Sequence, residues 1–269
     1  MTTPQALVLG IVQALTEFLP VSSSAHLVII QDYLGFKKPL LLFDVILHAA
    51  TLGALLVYFR KDIGRIILSL IRLREKSPEE MLNRRLFYLI LIGTIPTLAL
   101  GLFLNQWIKA MFTSVTFTSL MLLVTGTILW ISKRRANSER GIEKMKTTDA
   151  FLIGIMQGVA IIPGISRSGA TISTGLLRGI KKELAFRYSF LLSIPAIIGA
   201  LGLQLREAFL EQTLPSHPLP WIGGALVAAI IGYISLVLFR KIILGKKLHI
   251  FAYYCWTIGT ISLIIRIAI

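Results

Sequence analysis

Long apolar stretches separated by short polar segments dominate the hydrophobic pattern of this chain. Six of them approach the ~20 residues that an α-helix needs to cross a bilayer. They are residues 40–59, 86–104, 115–131, 184–205, 221–239 and 250–268. The pattern therefore predicts an all-α integral membrane protein with six full transmembrane helices.

Two further apolar segments are interrupted near their middle. Residues 4–34 and 150–177 each break at a proline, Pro20 or Pro163, into small and hydroxyl residues and then become apolar again. The arms of the second segment are too short to cross a bilayer alone. Because non-helical backbone at membrane depth needs protein or a wet cavity around it, we expect two re-entrant helical hairpins.

The charge distribution orients this arrangement. The chain is 55% hydrophobic with a mean hydropathy of +0.77 and a net charge of +15. Basic residues concentrate in four connecting segments, and the positive-inside rule places these in the cytoplasm: residues 60–85, 133–146, 178–187 and 240–247. The segments at 105–114 and 206–220 are poor in base and are expected outside. The basic residues thus act as topology signals, and scattered aromatics without a soluble domain argue against nucleic-acid binding.

The basic connections also predict the side of the membrane from which each hairpin enters and leaves. Both connections that flank residues 150–177 are basic, so this hairpin should enter and leave from the cytoplasm. By analogy, the hairpin at about 4–34 should enter and leave from outside. No basic cluster or small-residue cleavage site marks a removable signal peptide, and Cys255 is the only cysteine, which excludes an intramolecular disulfide.

The two halves of the chain match each other at an offset of 144 residues. Gly10 corresponds to Gly154, Gln13 to Gln157, and Val21–Ser24 to Ile165–Ser168. We therefore expect a single membrane domain, 1–269, made of an inverted-topology repeat over 1–131 and 150–269, each with one hairpin and three spans. Such repeats place a site where broken helices meet. A chance match of two apolar segments rich in serine and glycine is the alternative.

The first bend carries groups that could perform chemistry. Gln13 and Glu17 lie four residues apart and share one helix face, and the serines and His26 follow Pro20. A serine becomes a nucleophile when a base takes its proton, and His26 is close in sequence to Ser22, Ser23 and Ser24. A carboxylate beside hydroxyls and phosphate suits a divalent cation such as Mg²⁺ or Ca²⁺.

The second bend carries groups that could hold phosphate. Arg167 offers a planar fork of donors that fits phosphate oxygens, and its neighbours offer hydroxyls and backbone amides: Ser166, Ser168, Thr171, Gly164 and Gly169. Ionisable groups in apolar segments are functional candidates by default. Together the bends describe metal-assisted phosphoryl transfer on a substrate in the bilayer.

Structural roles compete with these interpretations. Hydroxyls in membrane helices often bond only to a carbonyl or join helices. His26 could bond a carbonyl at the interface. Asp44 and His48, four residues apart within 40–59, could join the site, bond each other or reach the interface.

The motifs resemble those of undecaprenyl-pyrophosphate phosphatases. Gln-x-x-x-Glu followed by Phe-Leu-Pro-Val-Ser-Ser-Ser-Ala-His resembles the first motif of that family, and Pro-Gly-Ile-Ser-Arg-Ser-Gly-Ala-Thr from Pro163 resembles the second. The resemblance implies hydrolysis of undecaprenyl pyrophosphate to undecaprenyl phosphate and inorganic phosphate. This reaction recycles the lipid carrier of cell-wall synthesis and confers bacitracin resistance.

The resemblance also implies a divalent cation, a polyprenyl pyrophosphate substrate and a bacterial plasma membrane location with the site open to the outer side. By motif position, Glu17 would serve the metal or a proton, Ser23 beside Ser22 would attack phosphorus, His26 would be acid or base, and Arg167 would bind pyrophosphate. Gln13 replaces a carboxylate that some members carry, and Ala25 stands where glycine is common. Oligomeric state stays open, with a homodimer as one option.

Two other classes of protein fit parts of the pattern. Inverted repeats with broken helices are also a transporter or lipid-flippase architecture. A membrane scaffold is the third class. A transporter needs a binding site but no nucleophile and base, so the asymmetry between the two bends favours the phosphatase.

Overall fold

The computed structural model describes residues 1–72, 77–133, 139–210, 218–245 and 248–268, with only the backbone at Lys109 and Ala268. These residues form eleven α-helices, a 3₁₀ turn at Ile142–Lys144 and no strand. The helices are α1 Thr3–Thr16, α2 Ser23–Tyr33, α3 Leu41–Tyr58, α4 Arg60–Ile71, α5 Pro78–Phe112, α6 Val115–Ser132, α7 Thr147–Val159, α8 Arg167–Leu177, α9 Lys182–Leu210, α10 Leu219–Leu244 and α11 Ile250–Ala268. Parts of the predicted basic segments, at 73–76, 134–138 and 246–247, lie outside the described residues.

The six apolar stretches predicted as spans are all helical. Helices α3, α5, α6, α9, α10 and α11 are each long and apolar enough to cross a membrane. The all-α class and the multi-pass membrane character are thus confirmed. Helix α5 is longer than expected, with 35 residues, because Ser77 caps it and Pro78 starts it well before the apolar stretch begins. Helix α4, an amphipathic helix inside the first basic segment, was not expected.

Each interrupted segment is a pair of short helices joined by a bend. Helix α1 ends at Thr16, before Pro20, and α2 starts after Ser22, whose hydroxyl accepts from the Ala25 amide. Helix α8 starts after Ser166, whose hydroxyl accepts from the Gly169 amide. Serine caps satisfy amide groups that a broken helix leaves without a partner. They therefore fix where each second helix begins.

Glycine contacts hold the short helices against the long ones. A Cβ atom added to Gly10 of α1 would collide with the backbone of Gly224 in α10. A Cβ atom added to Gly154 of α7 would collide with the backbone of Gly93 in α5. Small residues let helices approach closely enough for dispersion contacts between backbones. These two contacts fix the position of α1 against α10 and of α7 against α5.

An aromatic cluster supports the first bend. Phe18 packs edge-on against Phe190 of α9, with ring centroids 5.7 Å apart. Phe190 in turn contacts Phe59, Phe186 and Phe239. Edge-to-face pairs add about 0.5–1.5 kcal/mol beyond area burial. Since Phe18 follows Glu17 directly, this packing restricts the position of that carboxylate.

An ion-paired clamp closes the other end of the α7–α8 segment. Asp149, with a fully buried side chain, accepts from Arg140 at 2.6 Å and from Arg178 at 2.8 Å. The backbone amide of Lys146 donates to the same carboxylate at 2.9 Å. Burial alone would raise the pKa of Asp149, but the Lys146 amide and the two guanidinium groups outweigh it and hold the pKa below its ordinary value. The clamp therefore requires the ionised carboxylate.

We predict that Asp149→Asn destabilises the protein by about 2–4 kcal/mol, because it leaves two guanidinium groups without their anion. The measurement is thermal unfolding of the purified protein in detergent. Glu183→Gln is the matched control, since its pair with Arg240 is about half exposed and such pairs contribute ~0–1 kcal/mol. The contribution of Asp149 should be present above its ordinary pKa and lost as the pH falls through its lowered pKa. Equal effects of the two substitutions would contradict a clamp at Asp149.

Candidate active site

The two bends meet through an ion pair. Arg167, the first residue of α8, places its Nη2 against Oε1 of Glu17, which lies 150 residues earlier, just after α1. The Glu17 side chain is 2% exposed and that of Arg167 is 22% exposed. A carboxylate so far from water must be paired. The structure thus brings together two candidate site residues that come from different bends.

The second oxygen of Glu17 collects further donors. Oε2 accepts from Nε2 of Gln13 at 2.9 Å and from the hydroxyl of Ser23 at 2.7 Å. Gln13 reaches Glu17 because one helical turn separates them, as their spacing predicts. Ser23 reaches it because the bend turns the start of α2 back towards the end of α1. The site therefore holds a serine hydroxyl already directed at a carboxylate.

An unusual backbone conformation makes that turn. Ser22 has φ +64°, and among non-glycine residues described by the structure it is the one with positive φ. A conformation of this kind costs about 1–3 kcal/mol and persists only where its surroundings hold it. The Ser22 carbonyl accepts from Nδ1 of His26 at 2.8 Å, and its hydroxyl accepts from the Ala25 amide at 3.3 Å. These bonds hold the turn.

The sequence left two placements open for His26, beside a serine hydroxyl as a base or bonded to a carbonyl. The structure shows the second: Nδ1 contacts the Ser22 carbonyl, and Nε2 lies 2.9 Å from the hydroxyl of Tyr254. Ser23 donates to Glu17, and the base that geometry offers to Ser23 is the carboxylate. The physical reason is that His26 lies one helical turn after Ser22, which directs its ring at that carbonyl.

The hydroxyls of the second bend are largely engaged in the fold. Ser166 accepts from the Gly169 amide at 3.1 Å, and Ser168 donates to the Leu19 carbonyl at 3.2 Å. Thr171 donates to the Arg167 carbonyl at 2.7 Å. These contacts place Arg167 and pin the second bend to the first. In these positions the three hydroxyls orient the site, and a phosphate would have to compete with their present partners.

Gly164 forms the tightest part of the second bend. Its φ is +100°, and an added Cβ would collide with helix α6. Thr125 of α6 donates to the Gly164 carbonyl at 2.8 Å and accepts from the Ser166 amide at 3.0 Å. The Gly164 amide points at the hydroxyl of Ser24, 3.5 Å away. One threonine thus fixes the bend, and glycine is required for both conformation and space.

His48 joins this cluster, and the side chain of Asp44 does not contact Glu17. His48 Nε2 lies 3.3 Å from Glu17 Oε2, while its Nδ1 lies 2.7 Å from the Asp44 carbonyl. The Asp44 carboxylate accepts from Gln31 at 2.7 Å instead. Of the three roles open to this pair, the site role holds for His48. Its side chain is 27% exposed, so it borders the cluster on an accessible side.

Oxygen atoms that could meet a metal lie together at the end of α1. Glu17 supplies a carboxylate, and Oε1 of Gln13 is buried without a hydrogen-bond partner among the described residues. No group of three or more His, Cys, Asp or Glu side chains that could hold a metal occurs in the described part of the chain. A cation here would have two protein oxygens and would need others from a ligand.

The sequence analysis did not identify two residues that contact the bends. Thr125 and Tyr254 come from spans α6 and α11, far from both motifs in sequence. Thr125 is one hydroxyl among several in α6, and Tyr254 is one aromatic residue among several in α11. Nothing in the composition of those helices marks either residue. Contacts between distant helices are set by packing, which a hydropathy pattern does not encode.

Comparison with known proteins gives an independent view of the chain. The model of the family described as bacitracin resistance protein BacA matches residues 6–261. The match covers both bends and all six long apolar helices except the end of α11. A match of this extent concerns the whole membrane domain and not a single motif.

Curated relatives agree across their full length. An undecaprenyl-diphosphatase of Desulforapulum autotrophicum is 43% identical over 269 residues, covering 97% of both chains. Those of Methanosphaera stadtmanae and Carboxydothermus hydrogenoformans are each 41% identical, with 98% or more of both chains covered. With these matches and the geometry of the two bends, the chain belongs to the BacA bacitracin-resistance protein family.

Proposed function

We propose that this membrane protein is a phosphatase that hydrolyses undecaprenyl pyrophosphate to undecaprenyl phosphate and inorganic phosphate. One observation carries the proposal. A serine hydroxyl donates to a buried carboxylate, and that carboxylate also pairs with an arginine from the other bend. Nucleophile, base and phosphate ligand are thereby within one cluster. The undecaprenyl-diphosphatase names of the relatives supply the substrate.

Ser23 is the proposed nucleophile and Glu17 its base. The Ser23 hydroxyl lies 2.7 Å from Glu17 Oε2, within the range for proton transfer. As Oγ bonds the terminal phosphorus, its proton passes to Glu17. The bond from phosphorus to the bridging oxygen breaks and undecaprenyl phosphate leaves. Water then attacks the phosphoserine, which releases inorganic phosphate and restores Ser23.

Arg167 is the proposed ligand of the diphosphate. Its guanidinium faces Glu17 and is the more accessible partner of the pair. A diphosphate offers it planar pairs of oxygens, which an arginine grips with two parallel bonds. The further donors that we propose for the diphosphate would each have to exchange a contact made within the fold; they are the hydroxyls of Ser22, Ser24, Ser166, Ser168 and Thr171 and the amides of Gly164 and Gly169. His48 Nε2 lies beside the Glu17 carboxylate, on its accessible side.

A divalent cation, Mg²⁺ or Ca²⁺, completes the proposal. Glu17 and the free Oε1 of Gln13 are the oxygens that would hold it, with the pyrophosphate oxygens as its remaining ligands. The donor set fits a hard cation that binds through few protein groups and a phosphate. When bound, the cation would neutralise charge that develops on the phosphate oxygens.

The repeat and its topology form a second part of the proposal. We place hairpins at about 4–34 and 150–177 that enter from opposite sides, within repeats 1–131 and 150–269. The glycine contacts support this layout, because Gly10 meets α10 as Gly154 meets α5. In the repeat, α1 corresponds to α7 and α10 to α5. The site would open to the outer side of a bacterial plasma membrane, where the reaction recycles the lipid carrier and confers bacitracin resistance.

A transporter or flippase is not favoured. It would need a site for the lipid headgroup but no serine aimed at a carboxylate. No contact among the described residues points specifically to transport.

We predict that Ser23→Ala lowers turnover by at least about 100-fold, since it removes the nucleophile. Arg167→Lys should lower turnover by about 10–100-fold, since a point charge does not replace the planar fork. Both are measured as phosphate released from a polyprenyl pyrophosphate by purified protein. Ser69→Ala and Arg266→Lys are matched controls, because Ser69 donates only to the Ile66 carbonyl in α4 and Arg266 forms an exposed pair with Asp32. Full activity of both site variants would rule out this site.

We predict that removal of divalent cations stops the reaction. Turnover in excess chelator should fall by at least about 100-fold and recover when Mg²⁺ or Ca²⁺ is restored. Chelator already saturated with Mg²⁺ is the control for its other effects. Undiminished phosphate release in chelator would remove the metal from the proposal while leaving Ser23 and Arg167 in place.

We predict that the connection between α2 and α3 faces outward and that between α6 and α7 faces inward. In a background where the buried Cys255 is replaced by alanine, Lys38→Cys in intact cells should react with a membrane-impermeant thiol label. Lys144→Cys, equally exposed, should react only after the membrane is permeabilised. The reverse pattern would invert the topology.

A further inference from the structure

The hydrogen bonds of His26 define its protonation pattern. A carbonyl oxygen can only accept, so the bond to Ser22 places a proton on Nδ1. In the neutral ring, Nε2 then carries the lone pair and accepts from the hydroxyl of Tyr254, 2.9 Å away. The two rings are nearly parallel, 12° apart, with centroids separated by 5.7 Å. The Ser22 carbonyl thus sets the tautomer, and Tyr254 holds the orientation of the imidazole.

The imidazole in turn holds the strained residue of the site. The Ser22 carbonyl accepts from the His26 backbone amide at 3.3 Å and from Nδ1 at 2.8 Å. Ser22 has φ +64°, a region that residues with a Cβ rarely occupy. If the carbonyl were released, Ser22 would relax towards negative φ. Ser23 follows directly, so its hydroxyl would turn away from Glu17.

Helix α11 contacts the same bend at a second point. The Cys255 thiol lies 3.6 Å from the Pro20 carbonyl, and Cys255 follows Tyr254. The last helix of the chain therefore braces the first bend on both sides of Val21. His26 itself makes no bond to the Ser23 hydroxyl or to Glu17, so its effect on them passes through the backbone.

We propose that Tyr254 is a positioning residue that acts through His26 to hold Ser22 in its left-handed conformation and so directs Ser23 at Glu17. The inference rests on the proposed function of Ser23. It assigns His26 a task other than proton transfer with the serine. It also makes the geometry of the nucleophile depend on a hydroxyl that lies 228 residues after His26 in the chain.

Glycine at position 22 separates this role from an acid–base role. Glycine adopts positive φ without strain, so a chain with Ser22→Gly needs no imidazole to hold the turn. The substitution also removes the Ser22 hydroxyl and will lower activity on its own account. The informative quantity is therefore the effect of Tyr254→Phe measured within each background.

The experiment compares wild type, Tyr254→Phe, Ser22→Gly and the double variant in phosphate release from a polyprenyl pyrophosphate. In the wild-type background, Tyr254→Phe should lower kcat by at least about 10-fold and change KM less than about 2-fold. With Ser22→Gly present, the same change should lower kcat by less than about 3-fold. Tyr253→Phe is the matched control, because it removes a hydroxyl from the preceding residue, whose ring packs on Trp130 and Trp256; it should leave kcat unchanged.

Equal losses from Tyr254→Phe in both backgrounds, or no loss in wild type, would overturn the proposal. A second measurement does not need activity. Among the four histidines labelled with ¹⁵N, the His26 signals are identified by their disappearance in His26→Gln. Their ¹⁵N chemical shifts should report the Nδ1–H tautomer, and Tyr254→Phe should change the chemical shift of Nε2. An unchanged Nε2 chemical shift in Tyr254→Phe would also overturn the proposal. If the chemical shift changes but the wild-type protein has no phosphatase activity, the proposed function alone is rejected.

Discussion

The ion pair between Glu17 and Arg167 is the interaction on which the arrangement of this protein depends. It joins two bends that are 150 residues apart, and the carboxylate is almost fully removed from water. Separating the pair would leave an uncompensated charge among apolar helices, which costs several kcal/mol. The glycine contacts, the aromatic cluster around Phe18 and the Asp149 clamp all serve to bring these two side chains to one place.

The same electrostatics explains the chemistry of the site. Gln13 and Ser23 donate to one oxygen of Glu17, and Nε2 of His48 lies 3.3 Å from the same oxygen. With these contacts and the Arg167 guanidinium at its other oxygen, the Glu17 carboxylate is stabilised as an anion and held in one orientation. Any incoming diphosphate must draw some of these donors to itself. The ground-state network thus provides the groups that the proposed reaction uses.

Hydropathy and charge predict most of this fold because a bilayer constrains helix length and leaves few alternatives. The six spans and the shared face of Gln13 and Glu17 follow from spacing alone. The tilt of His26 onto the Ser22 carbonyl does not, because it depends on a positive φ at a serine, which no sequence preference suggests. His48 could be assigned only when α3 was seen beside α1. Helix α4 was missed because its apolar residues are too few for a span, although they lie on one face.

The Asp149 clamp has a consequence for how the protein can accommodate its ligand. Beside it, the Arg140 amide donates to the Gly179 carbonyl and the Lys181 amide donates to the Arg140 carbonyl, so both ends of the α7–α8 segment are tied together. A closed loop of this kind has little slack to lengthen or shorten at its far end. If Arg167 binds the headgroup as proposed, it would do so by moving its long side chain over a nearly stationary backbone. The reach of one arginine, and not the travel of a lid, would then decide how long a phosphate chain the enzyme can grasp.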